Sequence, residues 1–333
     1  MFIIQTYAIA VVFCVITMIC WGSWANTQKL ASKSWSFQLF YWDYALGVVI
    51  MSLLFGLTLG SVGEAGRSFV TDLQQGSAAV FISAFIGGVI FNLANLLIVA
   101  AIDIAGMAVA FPVGIGIALV LGVIVNYVAT PLGDPLLLFL GVALVAIAIV
   151  LDALAYRGLS TGKQQTPGKG ILLSVAGGIL MGFFYRFVAA AVAPDFAAPE
   201  TGKLTVYSAV FIFSLGILLS NFVWNTLFMW RPLKGEPVSY RDYWQQGNTR
   251  LHLVGILGGA IWCTGMSFSM LAAEKAGFAI SYGLGQGATL IAAIWGVFIW
   301  KEFQQAPASS KHLLGWMFLS FIAGLALIVA ARI

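Results

Sequence analysis

Apolar positions in this chain fall in long blocks, with no helical or strand period inside them, and polar positions cluster between the blocks. Each block is about 20 residues long, enough for a helix to cross roughly 30 Å of hydrocarbon. In lipid a crossing segment must satisfy its own backbone polar groups, and a single chain segment does that as an α-helix. The pattern predicts an all-α membrane protein with ten transmembrane helices, at roughly 5–27, 38–60, 78–101, 104–128, 134–155, 170–192, 204–229, 251–272, 276–299 and 312–331. The apolar stretch 78–128 is too long for one crossing, so Asp103 beside Gly106 marks a tight hairpin, as Glu274-Lys275 does further on. The longest connections, Arg157–Lys169 and Arg231–Arg250, are too short to fold alone.

One passage is written twice, 171 positions apart. Ala101-Ile102-Asp103-Ile104-Ala105-Gly106-Met107-Ala108 runs on through Phe111-Pro112 to Gly114-Ile115-Gly116. Ala272-Ala273-Glu274-Lys275-Ala276-Gly277-Phe278-Ala279 runs on through Tyr282-Gly283 to Gly285-Gln286-Gly287. Upstream, Gly87-Gly88 matches Gly258-Gly259 at the same offset. Two related halves in a membrane chain are the usual build of a solute carrier. Residues 1–156 form the first five-span repeat, 157–169 a cytoplasmic linker and 170–333 the second. Five is odd, so the second half enters the membrane inverted relative to the first.

Hydrophobic residues make up 61% of the chain and charged ones 8%, which excludes a soluble domain. Basic residues decide orientation. Lys29, Lys33, Arg157, Lys163, Lys169, Arg231, Lys234, Arg241, Arg250, Lys301 and Lys311 lie on one side, against Arg67, Lys203, Lys275 and Arg332 on the other. The first side is expected to be cytoplasmic and both termini outside, in the plasma (inner) membrane. The net charge of +4 is spread over loops and does not suggest nucleic acid. Cys14, Cys20 and Cys263 lie inside apolar runs, and His252 and His312 stand alone at segment ends, so neither a disulfide nor a metal is expected. The first apolar run lacks the basic start and small-residue site of a cleavable signal. No cofactor is expected, because no strand precedes the Gly-x-Gly pairs as a phosphate loop requires.

Ten spans as five plus five resemble the drug/metabolite transporter superfamily. Cys20-Trp21-Gly22-Ser23-Trp24, then Lys29-Leu30, then Tyr41-Trp42-Asp43-Tyr44 is similar to the opening of the ureide permeases, as is Gly87-Gly88 with Asn92, Asn95 and Leu96. Ala25 stands where the plant proteins have proline, and the detailed match covers about the first 130 residues. The resemblance implies inward movement of allantoin, uracil and related oxo-heterocycles, with a proton as coupling ion. Bacterial glucose/ribose and rhamnose uptake carriers are neighbours of that family, so a sugar or nucleoside is an alternative cargo.

Several residues could carry such transport. In span one, Trp21 and Trp24 share a face, with Ser23, Asn26 and Thr27 on the adjoining one. An aromatic plane beside amides suits a ring with apolar faces and a polar edge; an interfacial aromatic belt is the competing account. Asn92 and Asn95 share a face of span three, as cavity lining or as interhelical ties. Tyr282, Gln286 and Thr289 make a polar stripe whose first-half counterpart, Phe111, Ile115 and Ala118, is apolar. Trp262 could stack on the same ligand or pack the core. Asp43, just inside span two, is a candidate to exchange protons as a ligand binds, or else a hydrogen-bond partner of a loop or of Lys29. Arg186 is the most deeply placed basic residue, and at such depth an arginine costs at least about 2.5 kcal/mol unless it snorkels or is paired. It is a candidate for coupling or gating.

The expected function is therefore uptake of a small, neutral, polar ring solute by alternating access. A drug or amino-acid exporter on the same fold is the alternative. An intramembrane enzyme would need a clustered catalytic set, which the sequence does not offer. The featureless spans five and ten should brace the bundle in the lipid bilayer or form a homodimer contact.

Overall fold

The computed structural model describes residues 1–31, 35–105, 107–159, 168–233 and 235–333, with the backbone alone at 103, 107–109 and 111. Lys33, Lys163, Lys234, Gly106 and the greater part of the 157–169 linker therefore lie outside the described residues, as does the Asp103 side chain. The described chain holds ten helical spans long and apolar enough to cross a membrane. Span one is α1 (Tyr7–Ser23) and α2 (Ala25–Ala31), span two is α3 (Phe37–Leu57), and a short α4 (Phe69–Gln75) precedes span three, α5 (Ala78–Ala105). Spans four to seven are α6 (Met107–Ala129), α7 (Pro135–Arg157), α8 (Gly168–Ala191) and α9 (Val206–Trp230). A second short helix, α10 (Tyr240–Gln246), precedes span eight, α11 (Thr249–Ala276). Span nine comprises α12 (Phe278–Gly285), α13 (Ala288–Ile294) and a π turn (Trp295–Ile299); span ten is α14 (Ala308–Ala330).

The ends of span eight differ from expectation. Helix α11 runs through Glu274 and Lys275, which pair with each other at 3.3 Å, and stops at Ala276. The turn is made by Gly277, whose φ of 87° lies in the left-handed region that side chains avoid. A charged pair at a membrane surface can stay helical, so it marks the end of a span less sharply than the glycine does.

Packing is consistent with an inverted repeat. Exchanging the halves sends spans one to five onto six to ten, and the packed pairs map onto one another: one–eight with three–six, two–eight with three–seven, one–nine with four–six. Spans two and seven pack together, as do five and ten, each pair being its own image. The short helices α4 and α10 also stand 171 positions apart, within the related stretches Ser68–Gly76 and Ser239–Gly247. They lie on opposite faces, α4 on the face that carries the termini. Tightness is set at equivalent points. A β-carbon on Gly88 would collide with the carbonyl oxygen of Phe213, and one on Gly259 with that of Tyr44. Between spans five and ten the contact is reciprocal: a β-carbon on Gly141 would lie 2.7 Å from Gly324 O, and one on Gly324 2.8 Å from Gly141 O. Small residues allow such close backbone approach where lipid gives helices no hydrophobic reason to associate. Outward stripes such as Trp316, Leu319 and Ile322 on α14 are exposed and apolar, as a lipid-facing surface requires.

Candidate functional site

Aromatic rings from four other spans converge on Trp262 in α11, which is 5% exposed. Trp21 of span one stacks on it with ring centroids 5.9 Å apart and 13° between planes, and its indole Nε1 donates to Trp262 O at 3.2 Å. Gly265, one turn on, leaves the space that the Trp21 ring fills. Phe91 (4.3 Å) and Phe213 (5.9 Å) approach Trp262 from spans three and seven, and Tyr44 (6.5 Å) from span two. Tyr44 in turn lies between Trp24 at 4.9 Å and Tyr41 at 5.0 Å, and Asn95 Nδ2 donates to the Tyr41 hydroxyl at 3.1 Å. Aromatic pairs contribute about 0.5–1.5 kcal/mol each beyond the area they bury. The cluster is thus cohesive, while its faces are those a flat solute would stack on.

The two helices beside the cluster are interrupted. Span one loosens at Trp24, where Thr27 N bonds Trp24 O at 3.0 Å in a tighter turn and the Thr27 hydroxyl also caps that oxygen. Span nine breaks at Gln286-Gly287, with Gly287 N on Leu284 O at 2.9 Å and Leu290 N on Gly287 O at 2.9 Å. The breaks adjoin, because Gly285 packs against the Trp21 ring. Its first-half counterpart, Gly114-Ile115-Gly116, lies inside the continuous α6. At both breaks the backbone keeps helical dihedrals and tightens to i→i−3 bonds, an irregularity of the kind around which other carriers place their ligands.

Trp21, Trp24, Trp262 and Asn95 therefore come together. The remaining sequence candidates lie around them. Asn92 donates to Ile217 O (3.2 Å) and Ser220 Oγ (2.9 Å), tying span three to span seven. Asn26 sits nearer the face opposite the termini, donating to Ser23 O and accepting from Trp300 Nε1 at 2.7 Å. The Tyr282 hydroxyl is held by Ala118 O and Met181 O, both at 3.2 Å, and joins spans nine, four and six. Gln286, 9% exposed, occupies the break itself. Arg186 is half-buried in α8 and forms no ion pair with a described residue.

Asp43 meets the second short helix. Its carboxylate accepts from the Tyr243 hydroxyl at 2.6 Å and lies 3.0 Å from His252 Nδ1. Helix α10 is set up by a reciprocal capping box between Ser239 and Asp242. Burial, and then the Asp43 carboxyl, push the Tyr243 phenol above its ordinary range, which keeps it a donor. Lys29 instead pairs with Glu302 at 2.6 Å and lies over the Trp300 ring, while Tyr156 bonds the other oxygen of Glu302. On the termini face the fastening is different. Arg67 holds Asp72 of α4 at 2.9 Å and donates to Pro199 O, Glu200 O and Lys203 O, while Asp72 accepts from Thr205. Among the described residues no group of three or more His, Cys, Asp or Glu is placed to hold a metal.

Phe91 and Phe213 carry no separate signal in the sequence, because aromatics in apolar spans do not stand out, and Tyr44 is visible there only as part of Tyr41-Trp42-Asp43-Tyr44. His252 looked isolated at a segment end, and the fold brings it to Asp43. The likeness of Ser68–Gly76 to Ser239–Gly247 was a usable signal for α4 and α10. An apolar groove of about 330 Å³ lies elsewhere, lined by Val11, Met18, Leu284 and Leu325 among others, and shares no residue with the aromatic cluster.

The curated relatives agree with one another. Ureide permease 1 of Arabidopsis thaliana is 23% identical over 390 residues, covering 99% of both chains, and ureide permease 2 of the same plant is 22% identical over 396 residues with the same coverage. Similarity thus runs along the whole chain, beyond the first 130 residues. A crystal structure of a protein 16% identical in sequence superposes with a TM-score of 0.58, covering 98% of each chain, which supports the fold. The ureide permease family pattern matches residues 40–166 and 162–331, the two segments meeting in the connection between spans five and six. With ten spans and that match, the chain is an integral membrane transporter of a small molecule, and it belongs to the ureide permease family.

Proposed function

We propose that this protein takes up a small, neutral, polar ring solute of the ureide type, by alternating access of its two halves around the aromatic cluster. The observation that carries the reading is the meeting of Trp21, Trp24, Tyr44 and Trp262 with the Tyr41–Asn95 pair beside two interrupted helices. Flat faces with an amide and hydroxyl edge fit a cyclic ureide, and the relatives named as ureide permeases support that cargo. Sugars and nucleobases offer similar faces and are the competing substrates. The basic-residue asymmetry supports a plasma-membrane orientation with both termini outside.

A proton is the proposed coupling ion, carried at Asp43. This carboxyl is 1% exposed and bonded to groups from α10 and α11, so a change of its charge acts on both elements. Thermal shifts of the purified protein against allantoin, uracil, ribose and glucose test the cargo, since a ligand that binds only the folded state raises its stability. Allantoin is expected to stabilise; no shift with any of the four rejects the reading. In vesicles, Asp43→Asn should abolish accumulation driven by an inward proton gradient and leave substrate exchange intact. Accumulation by the Asn variant would remove the proton from Asp43.

A further inference from the structure

Tyr44 is 0% exposed, and its hydroxyl has no hydrogen-bond partner among the described residues. An unsatisfied buried hydroxyl costs about 1–3 kcal/mol, so phenylalanine would fit this position better in the structure as it stands. The surroundings point to a use for it. The Tyr44 ring is flanked by Trp24, Tyr41 and Trp262, with centroids at 4.9, 5.0 and 6.5 Å. Beside it the Tyr41 hydroxyl accepts from Asn95 and the Trp21 indole donates to Trp262 O. The backbone of Tyr44 is fixed as well, by the close approach of Gly259 to its carbonyl oxygen. The Tyr44 hydroxyl is thus rigidly placed among stacking surfaces and, among the described residues, neither donates nor accepts.

We propose that the Tyr44 hydroxyl donates a hydrogen bond to a carbonyl on the edge of the transported ring, making Tyr44 a specificity-determining residue. This rests on the aromatic cluster being the solute site. A buried polar group waiting for a partner discriminates strongly, because an analogue lacking that partner leaves it unpaired. The carbonyl of a cyclic ureide or oxo-heterocycle supplies the acceptor, and the indole faces supply the stacking. Room must be made: a planar ring between Trp21 and Trp262 needs about 7 Å, twice the roughly 3.5 Å contact distance of carbon atoms, against the 5.9 Å between their centroids. The loosened turn at Trp24 adjoins the ring that would have to move.

The test is Tyr44→Phe in the full chain, purified beside wild type, with melting curves and binding isotherms for allantoin and uracil. Without ligand the variant should melt no lower than wild type, since it loses only an unpartnered hydroxyl. Affinity for whichever of the two binds wild type should fall roughly tenfold or more. Equal affinity in variant and wild type overturns the assignment while leaving the cargo reading in place. A lower ligand-free melting temperature overturns it too, because the hydroxyl would then be serving the fold. If wild type binds neither compound, the cargo reading itself has failed and this assignment fails with it.

Discussion

At the scale of the residue, Trp262 shows how side chains divide the work of this core. It touches Trp21, Tyr44, Phe91 and Phe213, one ring from each of four other spans. Lipid removes the hydrophobic drive between helices, so what such a residue contributes is close contact. Trp262→Ala should therefore destabilise by about 3 kcal/mol or more through the cavity it leaves, read as a lowered melting temperature in detergent. Trp21, Trp24, Trp262 and Asn95 could be picked out from the sequence because an indole or an amide is conspicuous in an apolar run. Tyr44 stood in view inside Tyr41-Trp42-Asp43-Tyr44, yet its lack of a partner is a three-dimensional property. The Asp43–His252 contact spans 209 positions, and no local pattern encodes it.

At the scale of the element, the ten spans were legible because they are long apolar runs, one stretch being long enough for two, and the short helices were not, because seven residues of mixed character carry little signal. Helix α10 depends on its cap. The Ser239 hydroxyl donates to Asp242 at 2.6 Å and its amide at 2.8 Å, and these bonds hold the Asp242 carboxyl below its usual range. The folded cap thus favours the ionised form. Its support is complete above the ordinary aspartate value of about 3.9 and is lost as pH falls through the lower folded value. Hydrogen-exchange protection of residues 240–246 should fall on acidification through that window, and Ser239→Ala should lower it already at neutral pH. Protection unchanged in the Ala variant would mean that the Tyr243–Asp43 bond alone holds the helix. The breaks in spans one and nine were also hidden, since Gly285-Gln286-Gly287 and Gly114-Ile115-Gly116 share a pattern and only the first interrupts its helix.

At the scale of the molecule, the two faces are fastened by different chemistry: a guanidinium on backbone carbonyls beside α4, and a phenol and an imidazole on a carboxylate beside α10. Which face is cytoplasmic can be read by labelling in a background without Cys14, Cys20 and Cys263. In intact cells Glu200→Cys should react with an impermeant thiol reagent and Trp244→Cys should not; the reverse would invert the topology. The sequence signal for a repeat lies in matching glycines, of which Gly88 and Gly259 sit where a β-carbon would strike a neighbouring carbonyl oxygen. One such contact has an arithmetic of its own. Gly141 and Gly324 face each other, so each β-carbon would strike the other's carbonyl. A methyl on either one forces α7 and α14 apart, and once they have parted the second methyl finds its space already made. Gly141→Ala and Gly324→Ala should each lower the melting temperature, and the double variant should fall little below the worse single. The two losses are one loss counted from both sides, with a coupling energy close to the cost of a single substitution.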